Sequence, residues 1–191
     1  MAMATSDTLR RALLVTLVAA ALAATLIAIA RARGSGRAQR SVGWTSATIS
    51  SGAATLTYRS SWKPIPGDAG TVSVALRDRA GRYRGYLNVT PRQGAERLAG
   101  WAAFRVHRNV EEGDRHVREL TASEHFAFEN ARGSCVEDRY LSRVGANPYH
   151  ELACIVAGHR STSVFIGATL ASDWRTLGPT VRRAAAAFVE R

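Results

Sequence analysis

The pattern of apolar and polar positions changes character once, near Trp44. Before it, residues 12–30 (ALLVTLVAAALAATLIAIA) form an uncharged run in which only Thr16 and Thr25 are polar. At about 1.5 Å of rise per residue, such a helix nearly crosses a hydrocarbon core of about 30 Å. A helix buried in a soluble core would carry a polar face, and two threonines in this run do not make one. After Trp44 the chain turns to short alternating runs separated by turn residues.

Those runs predict strands. Leu56 and Tyr58 share a face in a first strand that ends at Pro64, Pro66 and Gly67. Val72, Val74 and Leu76 alternate with Ser73, Ala75 and Arg77, and the chain turns around Asp78–Gly81. It returns with Tyr83, Leu87 and Val89 on one face and Arg82, Arg84 and Tyr86 on the other. Period-two alternation around a glycine-containing turn marks a hairpin with one wet face. From Arg92 to about Arg108 the period lengthens. Leu98, Trp101, Ala102 and Phe104–Arg105 recur at helical spacing, with Gly94 and Gly100 against it. Residues 115–133 read as two shorter strands. "CVEDRYLSRV" (135–144) and "YHELACIVAG" (149–158) read as strands flanking the turn "GANP", and "STSVFIGATLA" (161–171) as another. Ser172–Asp173 is a candidate cap for a closing helix. Its apolar stripe is Trp174, Leu177, Val181, Ala185 and Phe188, with Arg182, Arg183 and Glu190 facing away. Pro179 belongs near a first turn or at a kink. The layout is α+β: an antiparallel sheet with a middle helix and a C-terminal helix packed on it, preceded by one N-terminal transmembrane helix.

Four segments follow: a basic flank (1–11), a transmembrane anchor or signal sequence (12–30), an Arg/Gly/Ser tether (31–43) and an α+β domain (44–191). Arg10–Arg11 and the small residues of Ala28-Ile29-Ala30 suit a cleaved signal. The length of the run, and Arg31 and Arg33 directly after it, favour a retained anchor. Orientation is contested too. The arginines at 31, 33, 37 and 40 argue for a cytoplasmic domain by the positive-inside rule. The signal-like layout and a cysteine pair argue for the outside, which is the side we adopt.

Charge changes this picture little. The chain carries +11 formally, yet Lys63 is its only lysine, and the arginines form no aromatic-interleaved stripe. Arginine skew with abundant alanine and glycine follows coding bias as readily as a binding surface. No nucleic-acid partner is expected.

Cys135 and Cys154 are the only cysteines of the 191 residues. Folding back around "GANP" sets them opposite one another, where cross-strand Cβ atoms lie about 4.5–5.5 Å apart, close to bridging distance. An exported chain with two cysteines most simply pairs them. A zinc site of Cys135, His150, Cys154 and His159 lacks any C-x-x-C or H-x-x-x-H anchor. His150 and Cys154 would also stand about 13 Å apart along one strand. A nucleophilic cysteine needs a lowered thiol pKa, and Glu137 and Asp138 beside Cys135 act the other way.

Other chemistry is sparse. The histidines (107, 116, 125, 150, 159) are scattered. "GHRSTS" places serines beside His159 without a G-x-S-x-G elbow, and "RGSGR" opens no helix. Glu111–Glu112 and Glu137–Asp138 are adjacent acids, which point to opposite faces in a strand or stay solvated in a loop. Trp44, Trp62, Trp101 and Trp174 suit core packing more than a groove. No catalytic, metal or cofactor-binding residue is assigned.

The motif "Y-x-S-S-W-x-P-I" (Tyr58–Ile65), then a hairpin, a helix, a run of strands and a closing "W…P…AAAAF" (Trp174–Phe188), resembles the PsbP-like fold. The photosystem II extrinsic subunit and many anchored bacterial envelope proteins, including the LpqN type, share it. The resemblance covers about residues 45–190. It implies an accessory or binding role without a shared catalytic motif. The early segment holds no lipobox cysteine, so lipid anchoring does not carry over. The expected function is therefore a membrane-anchored extracytoplasmic accessory or binding domain, non-catalytic, with an envelope protein as partner. One alternative is an envelope hydrolase with a site of dispersed residues, signalled by His159 meeting a serine and a carboxylate. Another is a cytoplasm-facing anchored domain binding anionic partners through its arginines.

Overall fold

A computed structural model describes residues 43–191; the segment 12–30 and most of the tether lie outside the described residues. Among the described residues no helix is long and apolar enough to cross a membrane.

Strands form where side chains alternate. β1 (Trp44–Thr48) and β2 (Ala54–Arg59) make a hairpin, and β3 (Lys63–Pro64), β4 (Val72–Arg77) and β5 (Tyr83–Pro91) follow. Helix α1 (Trp101–Glu111) leads into β6 (Arg115–Phe128), β7 (Ala131–Leu141), β8 (Pro148–Ala157) and β9 (Thr162–Leu170). A 3-10 turn, Ala171–Asp173, enters α2 (Trp174–Ala186), and β10 (Val189–Glu190) ends the chain. Seven strands form one antiparallel sheet in the order β3-β4-β5-β9-β8-β7-β6, and β1-β2-β10 form a smaller one.

The large sheet is covered on both faces at its centre, where β9 and β8 lie. One face carries Leu87, Val89, Leu152, Cys154 and Phe165 against α2 and the small sheet. The other carries Val136, Ala153, Ile155 and Val164 against Trp101 of α1. Consequently β8 is buried almost continuously from His150 to Val156. Gly167 permits the close approach of α2: a Cβ there would lie 2.5 Å from Val181 Cγ1 and 2.9 Å from Leu87 Cδ2. Trp62, Trp101 and Trp174 are all core residues.

Several sequence expectations need correction. The middle helix begins at Trp101, not Arg92. Gly100 sits at its N-cap in the left-handed region (φ 74°), and residues 92–100 approach it as irregular chain. The two short strands expected in 115–133 are one long strand, β6, and the start of β7. Three register irregularities in β6 break the alternation that would have revealed its length. Asp173 stands at the N-cap of α2 without a side-chain capping bond; its carboxylate is taken by Arg84. Pro179 lies within α2, past its first turn. Glu190 does not face away. The chain leaves the helix at Ala187 and pairs with β2, which buries Glu190 to 2% exposure.

Candidate functional site

The β7–β8 ladder sets Cys135 opposite Cys154, Asp138 opposite Glu151 and Tyr140 opposite Tyr149. Alternation sends the cysteines to the α2 face and Asp138, Glu151 and both tyrosines to the α1 face. Cys135 and Cys154 are joined in a disulfide with Cα atoms 4.1 Å apart, inside the main core. His150, two positions before Leu152 on that face, stacks on Trp174 with ring centroids 3.7 Å apart. Arg139 Nε donates to its Nδ1 at 3.2 Å, and Glu137 lies 3.2 Å from its Nε2. Arg182 also donates to Glu137, at 2.9 Å. Burial pushes the Glu137 carboxyl up, but the bonds from His150 and Arg182 outweigh it and hold it below its usual value. His159, by contrast, is exposed in the β8–β9 turn, and Ser161 donates its hydroxyl to the carbonyl of Arg191. The four residues weighed as zinc ligands are thus split among a disulfide, a stacked histidine and a surface turn.

The opposite face holds a buried polar network that sequence reasoning missed. Glu151, with no exposed side-chain surface, accepts from Arg105 Nε at 2.7 Å and from the Tyr140 hydroxyl at 3.0 Å. The hydroxyls of Tyr86 and Tyr140 are 3.3 Å apart. Beside them Asn109 Nδ2 donates to Asp138 Oδ2 at 3.1 Å, while Asp138 Oδ1 has no partner among the described residues. Arg105 loses to desolvation, but the Glu151 charge more than offsets this and keeps the guanidinium protonated. Burial, and then the negative charge of Glu151, push the Asp138 carboxyl up to about 8. The folded chain therefore keeps a proton on Asp138 that the unfolded chain releases above about pH 4. Stability drawn from this group is complete below that pH and falls as pH rises towards about 8. Asp138→Asn cannot titrate. It is expected to flatten the decline in urea midpoint over this window and to exceed the parent in stability at its upper end.

Above the network the sheet opens to solvent in a groove. Two adjoining cavities of about 560 and 470 Å³ share Tyr83, Tyr149 and Asn147 in their walls. Tyr86 and Tyr140 complete the aromatic wall, so four of the five tyrosines meet here; Tyr58 is in the main core. Tyr149 stacks on Tyr140 (5.9 Å, 24°) and meets the edge of Tyr86 (6.3 Å, 64°). Tyr83 is 42% exposed, with the Arg77 guanidinium 4.4 Å from its ring centre. The rim is braced where Arg143 N donates to Asp114 Oδ1 at 2.8 Å, which ties the β7–β8 turn to the chain leaving α1. A signal for this site did exist: Tyr140 and Tyr149 are as symmetric about the "GANP" turn as the cysteines.

An antiparallel seven-stranded sheet clasped by a helix on each face is an α+β architecture, and the fold is PsbP-like. The cyanobacterial PsbP of Synechocystis sp. PCC 6803 (CyanoP) superposes with a TM-score of 0.56 and 18% identity, over 82% of this chain and 96% of that one. LpqN of Mycobacterium tuberculosis, involved in cell envelope biogenesis, superposes at 0.50 with 9% identity, over 76% and 89%. A Pseudomonas aeruginosa protein of unknown function gives 0.50 and 13%, over 78% and 97%. No family model and no curated protein matches the sequence.

Proposed function

We propose that the protein is a non-catalytic accessory domain, held at the outer face of a membrane by residues 12–30, that binds an envelope component in its tyrosine groove. The observation that carries this reading is the groove itself. Its rings, Tyr83 exposed and Tyr149 half-buried, rest on a hydrogen-bonded floor, so little ordering is needed when a ligand arrives. The disulfide supports the extracytoplasmic address, because such bonds persist in oxidising compartments. An envelope protein is the partner expected from the sequence, and it would meet the domain at this groove.

Cysteine footprinting tests address and site together. Val144, 76% exposed on the groove rim, and Arg175, exposed on α2, are replaced singly by cysteine in the full chain. A membrane-impermeant maleimide is expected to label both variants in intact cells. Val144→Cys should react several-fold more slowly in the envelope than in purified protein, and Arg175→Cys at one rate in both. Labelling only after lysis would refute the outer location, and equal rates for Val144→Cys would refute occupancy of the groove.

A further inference from the structure

We infer that the groove is a site for a neutral carbohydrate, one or more sugar rings laid against Tyr149 and Tyr83. This deepens the reading above and rests on the groove being the binding surface.

The fold itself requires only two of the four groove tyrosines. Tyr86 and Tyr140 use their hydroxyls in the buried network that ends on Glu151. Tyr83 and Tyr149 have no such duty: Tyr83 is bonded only to the exposed Arg77, and no hydrogen bond of the Tyr149 hydroxyl exists among the described residues. Burial raises the Tyr149 pKa, so that ring is neutral across the physiological range. Two amphipathic rings, each an apolar face with a polar tip, therefore line the mouth of one groove, Tyr83 exposed and Tyr149 half-buried.

Charge then selects among ligands. Nearly every ionised group in the two cavities already has a partner within the chain. Asp78 pairs with Arg82, Asp173 with Arg84 and Glu112 with Arg108, and Asp114 accepts the Arg143 amide. An ionic ligand would meet both signs at each of the three ion pairs, and Asp114 and the Arg143 guanidinium add one charge of each sign, so neither sign is favoured. A neutral polyol does not depend on net charge. Its C–H face covers a tyrosine ring, and its hydroxyls exchange bonds with whatever donors and acceptors surround it. The groove offers both kinds: the Asn147 amide group, which makes no side-chain bond among the described residues, and the guanidinium of Arg143 as a further donor. Cavities of this size fall within the range of small-ligand sites, about 300–1,000 Å³, and their shared wall suits two or three linked rings.

The test uses the full chain in a detergent without a sugar headgroup. Saturation-transfer difference NMR is recorded with neutral gluco-, manno-, galacto- and arabino-oligosaccharides of two to four rings, with uronate-bearing oligosaccharides, and with an oligolysine peptide. At least one neutral oligosaccharide is expected to receive saturation, strongest on the ring protons of one sugar face. Tyr149→Ala and Tyr83→Ala should each weaken that binding about tenfold, as loss of an aromatic contact does, while Tyr149→Phe retains it. Tyr83 is exposed enough for its variant to fold, which keeps the result interpretable. Binding of the uronates or of oligolysine alone overturns the inference. So does the absence of any neutral binder, or neutral binding indifferent to Tyr83 and Tyr149. Slow footprinting at Val144→Cys in the envelope without any neutral binder would sink the carbohydrate assignment and leave the groove's occupancy standing.

Discussion

Arg105→Ala is expected to destabilise the domain by about 3–5 kcal/mol, the usual cost of stranding one partner of a buried ion pair. Arg105 has 10% of its side chain exposed and Glu151 none, so water cannot replace the missing guanidinium. Glu151 would keep only the Tyr140 hydroxyl, with the Asp138 carboxyl on the facing strand position as a second acid. The cost belongs to the abandoned charge rather than to the pair as such. Arg105→Met combined with Glu151→Leu should therefore lose much less than Arg105→Ala alone, because a buried pair exchanged for apolar residues is often close to neutral. Urea denaturation of the parent, both single variants and the double variant closes the cycle. A loss under about 1 kcal/mol for Arg105→Ala would mean that Glu151 reaches water or takes a proton. The double variant also isolates the groove: it should fold, yet leave Tyr140 and Tyr86 without their anchor and so bind ligand more weakly.

This network explains which parts of the molecule were legible beforehand. The hairpin of β4 and β5, the β7–β8 pair and the stripe of α2 all follow from periods of two and 3.6, and these survive because packing agrees with them. The turn "GANP" fixes the register that joins Cys135 to Cys154. That register equally sets Asp138 across from Glu151, two acids facing each other in a core. Read alone, Glu137–Asp138 gave only the generic statement that neighbours in a strand diverge. Diverge they do, Glu137 to Arg182 and His150, Asp138 to Asn109. What the sequence hides is the cation that answers Glu151. Arg105 arrives from α1, 46 residues before Glu151, and nothing in the local pattern marks it as an inward arginine among so many outward ones. The groove was obscured for a related reason. Tyr83 and Tyr86 come from β5 and Tyr140 and Tyr149 from β7 and β8, with β9 between them in the sheet. Strand order in an antiparallel sheet is a long-range outcome that alternation does not encode. Bulges erased the length of β6, and β10 buried Glu190 through a pairing only two residues long.

Cys135→Ala combined with Cys154→Ala is expected to lower stability by about 3 kcal/mol, the chain-entropy value for a loop of this size, or about 10 °C in Tm for a domain of some 150 residues. The bridge spans 19 residues and sits in the main core, with Cys154 fully buried and Cys135 4% exposed. Alanine is the right replacement, since serine would add two hydroxyls with no partners in an apolar layer. The ladder runs on either side, from Arg132–Ala157 to Leu141–Pro148, so the variant should keep its near-UV circular dichroism and lose only its margin. The measurement is a urea curve for the oxidised parent, the reduced parent and the double variant. Reduction alone should account for most of the shift, because the thiols still fill the space. The loop closed by this bridge contains the "GANP" turn, Asp138, Tyr140, Tyr149 and Glu151, that is, one side of the groove and most of its floor. If the crosslink acts on the unfolded chain, as the entropy argument holds, its loss shifts the midpoint and leaves ligand affinity at the groove unchanged. Reduction that weakened binding while sparing the midpoint would instead show the bridge acting on the native groove, and would make the site responsive to the redox state of its surroundings.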